Sequence, residues 1–119
     1  MGKELVTPPG EISVESGFYG YGEKYSGDGK VNVIGKASLD ESVVFAVQGY
    51  ARAIIYALGV RNLSRIDFFL SGVRLYFNEI NTMPGMTEGS LYPMMLGESG
   101  ISPREMVNSL IADGIERGA

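Results

Sequence analysis

The pattern of apolar and polar residues predicts two helices of different character. Over residues 41–58 the apolar side chains fall on more than one helical face, which is typical of a helix buried between layers. Residues 38–41 (Ser-Leu-Asp-Glu) have the spacing of a capping box at its start, and Gly59 supplies a stop. Near the C-terminus, residues 102–105 (Ser-Pro-Arg-Glu) form a second capping box. A single apolar stripe over 106–115 follows it, so we expect a surface helix there.

Shorter apolar runs bounded by Gly and Pro predict strands. Three brief strands are expected at 5–7, 12–14 and 31–35. Residues 63–70 and 73–79 predict a hairpin joined around Ser71-Gly72.

Two long segments without periodicity, 16–30 and 82–100, are predicted to be loops, and loops of that length are usually functional or disordered. Together these elements predict one α+β unit over residues 1–119, in which helices pack on an antiparallel sheet.

Composition restricts the chemistry that such a domain can perform. The 119 residues contain no Cys and no His, which excludes disulfides, a thiol nucleophile and any Ser-His-Asp mechanism within the chain. A metal ion would need oxygen ligands, which favours Mg²⁺, Mn²⁺ or Ca²⁺. The net charge of −4 comes with scattered Lys and Arg, so we expect no nucleic-acid partner. The N-terminus lacks a signal-peptide pattern and no apolar run reaches spanning length, so we expect no membrane association and a cytoplasmic location.

The charged and amide side chains of the predicted hairpin are the candidate chemistry. Arg65 and Asp67 interrupt an apolar strand, and Glu79 and Asn81 stand at the end of the next one. If Asp67 and Glu79 share a face, they form an oxygen site for a hard cation, with Asn81 adding a carbonyl oxygen. Two carboxylates about 5 Å apart repel by roughly 3 kcal/mol at an effective dielectric near 20. A divalent ion between them reverses the sign.

The register of the hairpin decides whether this site exists. A two-residue closure pairing Leu70 with Val73 would place Asp67 and Glu79 on opposite faces, because side chains alternate with period two. A three-residue closure pairing Leu70 with Arg74 would bring Arg65, Asp67 and Glu79 together. A bulge near the strand end would do the same. The metal hypothesis therefore predicts one of the last two geometries.

Each of these residues also has an ordinary interpretation. A single Asp or Glu on a strand is usually a solvated residue. Arg65 alone would be a surface ion-pair partner of little energetic weight. Ser90 could only cap a turn, and the aromatic residues of 16–30 could anchor a surface loop.

The combined motifs resemble those of one known family. The matching segments are 65–69 (Arg-Ile-Asp-Phe-Phe), 78–87 (Asn-Glu-Ile-Asn-Thr-Met-Pro-Gly-Met-Thr), 18–25 (Phe-Tyr-Gly-Tyr-Gly-Glu-Lys-Tyr) and 90–93 (Ser-Leu-Tyr-Pro), with 9–12 (Pro-Gly-Glu-Ile) as a further match. They are similar to the C-terminal part of D-alanine–D-alanine ligases, members of the ATP-grasp superfamily, and they cover nearly the whole chain. The resemblance implies the C-terminal portion of an ATP-grasp domain, with a mobile loop at about 16–30, a metal-binding hairpin at 63–81 and a substrate loop at 82–100.

The resemblance also implies a nucleotide and metal site. Asp67 and Glu79 would ligate magnesium, with Glu79 bridging two ions and Asn81 holding the second. Manganese could replace magnesium at both positions. Three residues would contact ATP: Phe69 on the adenine side, Phe18 nearby and Lys24 at the γ-phosphate.

For the amino-acid substrates, the resemblance implies roles in two steps. Tyr25 would orient groups around the first D-alanine, and Arg65 with the Gly85 amide would stabilise the oxyanion. Ser90 and Leu91 would receive the carboxylate of the second D-alanine. The activity implied is ATP-dependent ligation of two D-alanines through D-alanyl phosphate, in peptidoglycan precursor synthesis.

Several positions depart from the family pattern. Gly20 stands where an acidic residue is common, Asn62 where Gly is usual, and Glu88-Gly89 where Ser-His is usual. Family members that make D-alanyl-D-lactate have His at the position of Tyr25, and D-serine-adding members tend to have Arg at that of Leu91. The resemblance therefore favours D-alanine as the second substrate.

Much of a complete ligase has no counterpart in this sequence. The first-substrate domain and the earlier half of the ATP-grasp fold are missing, so we expect the chain to need that N-terminal portion as a partner and to be inactive alone. Two alternatives remain open: a stand-alone magnesium- or nucleotide-binding module, and a D-alanine–D-serine ligase segment. The helix over 41–58 would expose apolar surface in this chain, which predicts self-association.

Overall fold

Helices and short antiparallel strands make up the part of the chain that the computed structural model describes, residues 5–14 and 31–118. In chain order the elements are β1 (Glu11–Val14), β2 (Val31–Ile34), α1 (Glu41–Leu58), β3 (Arg65–Ser71), β4 (Arg74–Asn81), α2 (Leu91–Glu98) and α3 (Pro103–Glu116). The predicted α+β class is confirmed.

The strands form two separate antiparallel pairs, β1 with β2 and β3 with β4. In the first pair Glu11 lies opposite Ile34 and Val14 opposite Val31. The strand predicted at 5–7 is wrong, since these residues have no strand conformation. Their backbone is bound in another way: the Val6 carbonyl accepts a hydrogen bond of 3.0 Å from Gln48 Nε2 on α1.

The β1–β2 pair packs against α2 through two glycines. A Cβ atom built on Gly35 would lie 2.9 Å from Met94 Cγ and 3.1 Å from the Met94 carbonyl oxygen. One built on Gly10 would lie 2.8 Å from the Ile34 carbonyl oxygen and 3.0 Å from Leu91 Cδ1. Backbone and helix can approach this closely only because neither glycine carries a side chain.

Helix α1 starts later than the capping pattern predicts. Its N-cap is Asp40, whose side chain makes no capping hydrogen bond, so the capping box predicted at 38–41 is wrong. That box required Glu41 at the third helical position, but Glu41 is the first. The Asp40 carbonyl accepts from the amides of Val43 and Val44, each at 3.0 Å. The predicted stop is confirmed, with Gly59 left-handed at φ 65°.

Helix α3 begins as predicted. The Glu105 amide donates to Ser102 Oγ at 3.1 Å and the Ser102 amide donates to Glu105 Oε1 at 3.5 Å, which completes the capping box. Pro103 occupies the first helical position, where its missing N–H removes no hydrogen bond.

Helix α2 lies inside the segment predicted to be a loop, and that prediction is wrong for residues 91–98. Pro93 and Gly97 suggested a break in regular structure. Pro93, however, falls in the first helical turn, where an N–H has no partner within the helix.

Few side chains of the described residues are removed from solvent. Ala37 and Ala51 are buried, at 9% and 6% exposure, and so are Gly35 and Pro84. On α1, by contrast, Phe45 is 78% exposed and Tyr56 is 86% exposed. The prediction that α1 presents apolar surface is therefore confirmed.

Candidate metal and substrate site

The β3–β4 turn fixes the starting register of the candidate site. Gly72 and Val73 connect the strands, Ser71 pairs with Arg74, and Gly72 has φ 63°, a conformation that favours glycine. Neither closure considered from the sequence occurs, since the turn lies one residue later than expected. Continued without interruption, this register would pair Asp67 with Asn78 and put Glu79 on the opposite face.

A β-bulge changes that outcome. The register shifts between Asp67 and Phe68, so that Phe68 pairs with Phe77 while Asp67 pairs with Glu79. Asn78 is the extra residue in β4. The bulge that the metal hypothesis required is confirmed.

Beyond the bulge, four side chains share one face of the hairpin. Arg65 lies opposite Asn81, and Asp67 lies opposite Glu79. Residues two apart on a strand point to the same side, so these four belong to one surface, which we call the polar face.

The other face of the hairpin is apolar. It carries Ile66, Phe68, Leu70, Leu75, Phe77 and Ile80 by the same alternation. The Phe68 and Phe77 rings meet edge to face with centroids 6.2 Å apart. An open groove of about 380 Å³ lies between this face and α1, lined by Tyr50, Ala53, Ile54, Ala57, Phe68, Leu75 and Phe77. The bulge thus allows one strand pair to pack against α1 and to present charges on its opposite side.

Arg65 and Asp67 form a two-pronged ion pair on the polar face. Arg65 Nε donates to Asp67 Oδ1 and Nη2 donates to Oδ2, both at 2.9 Å. The two side chains are 12% and 23% exposed, so the pair is largely shielded from water. Such paired bonds to a carboxylate are stronger and more directional than a single contact.

Asn81 is held by the chain that follows it. Its Oδ1 accepts a hydrogen bond of 3.1 Å from the Met83 amide. A carbonyl oxygen has two lone pairs, so one is left for a ligand.

The donor set of the polar face fits a hard divalent cation. Asp67 and Glu79 supply carboxylate oxygens across one strand pair, and Asn81 supplies an amide oxygen beside Glu79. The described residues contain no group of three or more His, Cys, Asp or Glu that could hold a metal ion. A cation here would therefore depend on Asn81, water or a substrate oxygen to complete its coordination.

Two aromatic side chains extend the polar face toward the turn. Phe69 follows Asp67 on that face and is 60% exposed, and Tyr76 lies directly opposite it with 49% exposure. The proposed contact between Phe69 and a nucleotide stays a prediction. Sequence reasoning missed Tyr76, because only the observed register places it beside Phe69.

The segment after β4 brings Gly85 close to Ser90. A Cβ atom on Gly85 would lie 3.1 Å from Ser90 Oγ. Thr87 Oγ1 and Ser90 Oγ are 2.8 Å apart, and the Ser90 amide donates to the Thr87 carbonyl at 2.9 Å. Ser90 is also the N-cap of α2, although its side chain makes no capping bond.

Leu91 is the first residue of α2 and points into the fold. Its Cδ1 lies 3.0 Å from the position of a Cβ on Gly10. The predicted contact of Leu91 with a carboxylate would therefore involve its backbone amide, since the first amides of a helix have no partner within it.

Tyr92, which sequence reasoning did not select, connects α2 to the start of β3. Burial raises the pKa of its hydroxyl above the ordinary value for tyrosine, and a hydrogen bond with the Ser64 backbone acts in the opposite direction. Phe18, Lys24 and Tyr25, the predicted contacts of the loop at 16–30, lie outside the described residues.

In the part that the structure describes, no helix is long and apolar enough to cross a membrane.

Comparison with known proteins gives a consistent result. Residues 1–112 match the family described as "D-ala D-ala ligase C-terminus". The chain is 39% identical to the D-alanine–D-alanine ligase of Chlorobaculum tepidum, over 95% of this chain and 31% of that protein. It is 37% identical to the D-alanine–D-alanine ligase of Streptococcus uberis, over 92% of this chain and 32% of that protein. The chain thus spans about a third of the length of these relatives.

Solved structures agree with the sequence relatives. D-alanyl-alanine synthetase A of Vibrio cholerae superposes with a TM-score of 0.78 at 37% identity, over 94% of this chain and 34% of that one. The VanG D-Ala:D-Ser ligase of Enterococcus faecalis superposes with a TM-score of 0.79 at 35% identity, over 93% of this chain and 32% of that one.

Proposed function

This chain belongs to the D-alanine–D-alanine ligase family, whose C-terminal part it matches, and we propose that it carries the magnesium and second-substrate site of an ATP-dependent ligase joining two D-alanines. The observation that supports this most directly is the bulge that pairs Asp67 with Glu79 on one face of the hairpin. The rest of the active site would come from the other two thirds of a ligase. The proposed dipeptide would serve peptidoglycan precursor synthesis in the cytoplasm.

The polar face would hold the metal. Asp67 and Glu79 would ligate Mg²⁺ or Mn²⁺, Glu79 would bridge two ions and Asn81 would bind the second. Bound magnesium would neutralise charge on the phosphate oxygens of ATP, which phosphoryl transfer needs more than covalent assistance. This assignment is supported by the pairing of Asp67 with Glu79 and by the free lone pair of Asn81.

The nucleotide would lie on the aromatic extension of the polar face. Phe69 is exposed beside Asp67 and offers an apolar surface to the adenine side of ATP. Lys24 would reach the γ-phosphate, and Phe18 would lie near the nucleotide. A loop carrying these residues would also shield a reactive acyl phosphate from water.

The two D-alanines would react in sequence. A carboxylate oxygen of the first attacks the γ-phosphorus of ATP, forming D-alanyl phosphate and ADP. The amine of the second then attacks the carbonyl carbon, loses a proton, and inorganic phosphate leaves. Tyr25 would orient the first substrate, and Arg65 with the Gly85 amide would stabilise the oxyanion.

The second D-alanine would bind at the start of α2. Ser90 and the Leu91 amide would receive its carboxylate, at a helix N-terminus that favours negative charge. The similarity to a D-Ala:D-Ser ligase makes D-serine the alternative second substrate. Leu91 argues for D-alanine, because its side chain packs toward Gly10 and offers no polar group to a serine hydroxyl.

Reconstitution tests the proposal directly. The chain is mixed with the preceding two thirds of a related ligase, and phosphate release from ATP is measured together with D-alanyl-D-alanine. We expect both products from the mixture and neither from the chain alone. Glu79→Ala should abolish them, whereas Glu98→Ala, at the end of α2, should not.

The results separate this function from its alternatives. Formation of D-alanyl-D-serine in preference to D-alanyl-D-alanine, with both amino acids present, would identify a D-serine ligase segment. Binding of ATP and Mg²⁺ by the chain without any ligation in the mixture would favour a stand-alone binding module. Phosphate release by the unmixed chain above its Glu79→Ala variant would contradict the expected inactivity.

A further inference from the structure

Both oxygens of the Asp67 carboxylate are already bound to a cationic group of the same chain. Arg65 Nε and Nη2 donate to Oδ1 and Oδ2 with equal distances of 2.9 Å. A guanidinium bound in this way occupies one lone pair of each oxygen. Asp67 therefore faces Glu79 as a carboxylate that is already neutralised.

A metal ion at the same carboxylate would lie beside this guanidinium. The charges of the two cations have the same sign, and their repulsion is strong because the pair is only 12% and 23% exposed to water. The lone pairs used by the fork are also those with which a carboxylate would chelate a metal ion on both oxygens. The repulsion between the two cations disfavours simultaneous binding, and the fork blocks chelation of the metal ion through both oxygens.

We propose that Arg65 and a divalent cation compete for Asp67, so that metal binding displaces the guanidinium and releases it toward the substrates. Before metal binds, Arg65 is a positioning residue that offsets the charge of Asp67 opposite Glu79. After displacement, it becomes available to a developing negative charge. The inference rests on the proposed function, since it concerns the magnesium site assigned there.

Competition for Asp67 sets an order of events on β3, in which metal binding comes before the release of Arg65. The Arg65 side chain and the Asp67 side chain are two residues apart on the same face, so one ion pair controls both groups. An active site without metal would hold its oxyanion-stabilising arginine in the ion pair. The site would therefore respond to metal first and engage the reacting carbonyl second.

The affinity of the complete chain for Mn²⁺ tests the competition. Titration followed by electron paramagnetic resonance measures free Mn²⁺ for the wild type and for Arg65→Met, which keeps an unbranched apolar stem and removes the charged guanidinium. We expect Arg65→Met to bind Mn²⁺ roughly fivefold more tightly, because the guanidinium no longer competes for Asp67. Arg65→Lys, which keeps the charge without the fork, should lie between them.

The matched control is Arg74→Met. Arg74 lies on the same face of the hairpin as Arg65 but at the turn end, opposite Ser71. The charge change is the same, so a general effect of net charge would appear equally in both variants. We expect little change for Arg74→Met because screening is strong at that separation.

A second measurement needs no variant. In the wild-type chain, the side-chain Nε–H resonance of Arg65 should shift on saturation with Mg²⁺ and exchange faster with water, as the fork opens. This readout also covers the case in which Arg65→Met does not fold. An unchanged Nε–H resonance in Mg²⁺-saturated protein overturns the inference.

The remaining outcomes distinguish this inference from the proposed function. If Glu79→Gln abolishes Mn²⁺ binding but Arg65→Met binds no more tightly than the wild type, the metal site stands and the competition does not. Weaker binding by Arg65→Met would show that the arginine orients Asp67 for the metal instead. If neither the wild type nor Arg65→Met binds Mn²⁺, both the site and the inference are wrong.

Discussion

Asn78 determines which side chains meet on the β3–β4 hairpin. It is the extra residue of the bulge, and it shifts Glu79 onto the face that carries Asp67. The same shift leaves Phe77 paired with Phe68 on the opposite face, toward α1. A single inserted residue therefore allows both an apolar contact surface and a charged site on one strand pair.

Asn62, three residues before β3, carries a second constraint, which acts on its backbone. It has φ 66°, and it is the one non-glycine residue of the described ranges with positive φ. Asparagine tolerates this conformation better than most residues, and glycine tolerates it without strain. The departure of Asn62 from the glycine usual in the family is thus conservative in backbone terms.

We predict that Asn62→Ala lowers the free energy of unfolding by about 1–2 kcal/mol, because a Cβ without a polar side chain is disfavoured in this conformation. Asn62→Gly should stay close to the wild type. It loses only a long hydrogen bond of 3.4 Å from Arg117 Nη2 to Asn62 Oδ1. Urea denaturation followed by circular dichroism measures both.

Asn108→Ala is the matched control for that experiment. Asn108 is exposed within α3, so the same chemical change there meets helical backbone and should be neutral or slightly stabilising. Equal losses for Asn62→Ala and Asn108→Ala would contradict the backbone argument.

At the scale of elements, the contact between the β1–β2 pair and α2 depends on glycine. We predict that Gly35→Ala lowers the free energy of unfolding by about 1–3 kcal/mol, because the added methyl would lie 2.9 Å from Met94 Cγ and 3.1 Å from the Met94 carbonyl oxygen. The backbone oxygen cannot move without shifting the helix. The loss is measured by thermal or urea denaturation.

Gly97→Ala makes the same substitution where space is free. Gly97 belongs to α2, and nothing lies within 4 Å of a Cβ built there. Alanine should stabilise the helix at that position by up to about 1 kcal/mol. A destabilisation by Gly97→Ala as large as that by Gly35→Ala would show that α2 does not tolerate alanine in general, rather than at the contact.

The elements also show what the sequence could predict. Helix α3 was predicted well because its capping box is satisfied by four adjacent residues, Ser102 to Glu105, without help from the rest of the fold. The polar face was predicted only as one of several registers, because a bulge depends on how two strands pair and how one packs on α1. Helix α2 was missed because Pro and Gly usually interrupt regular structure. Here Pro93 lies in the first turn of the helix, where proline is tolerated, and Gly97 lies in its last turn.

For the whole molecule, the distribution of apolar surface is unusual for an isolated domain. Phe45 and Tyr56 are 78% and 86% exposed on α1, while Tyr50 and Ile54 line the groove toward the hairpin. Phe45 and Tyr56 are separated by about three helical turns, which places them on one side of the helix. An apolar surface of this kind is typical of a region that other protein covers. The chain matches about a third of the length of each relative, which is consistent with this surface being covered by the remaining part of a ligase.

We predict from this surface that the chain alone self-associates at high concentration and that Phe45→Lys weakens the association. A lysine at this position places a solvated charge on the apolar side of α1, which opposes its burial against a second copy. Sedimentation velocity over a range of concentrations measures the change in average mass.

Ile115→Lys is the matched control, since Ile115 is 73% exposed on α3 and the substitution adds the same charge. Association that Phe45→Lys and Ile115→Lys weaken equally would assign the effect to net charge rather than to α1. A wild-type chain that stays monomeric at the highest concentration would show that its exposed apolar surface does not drive association.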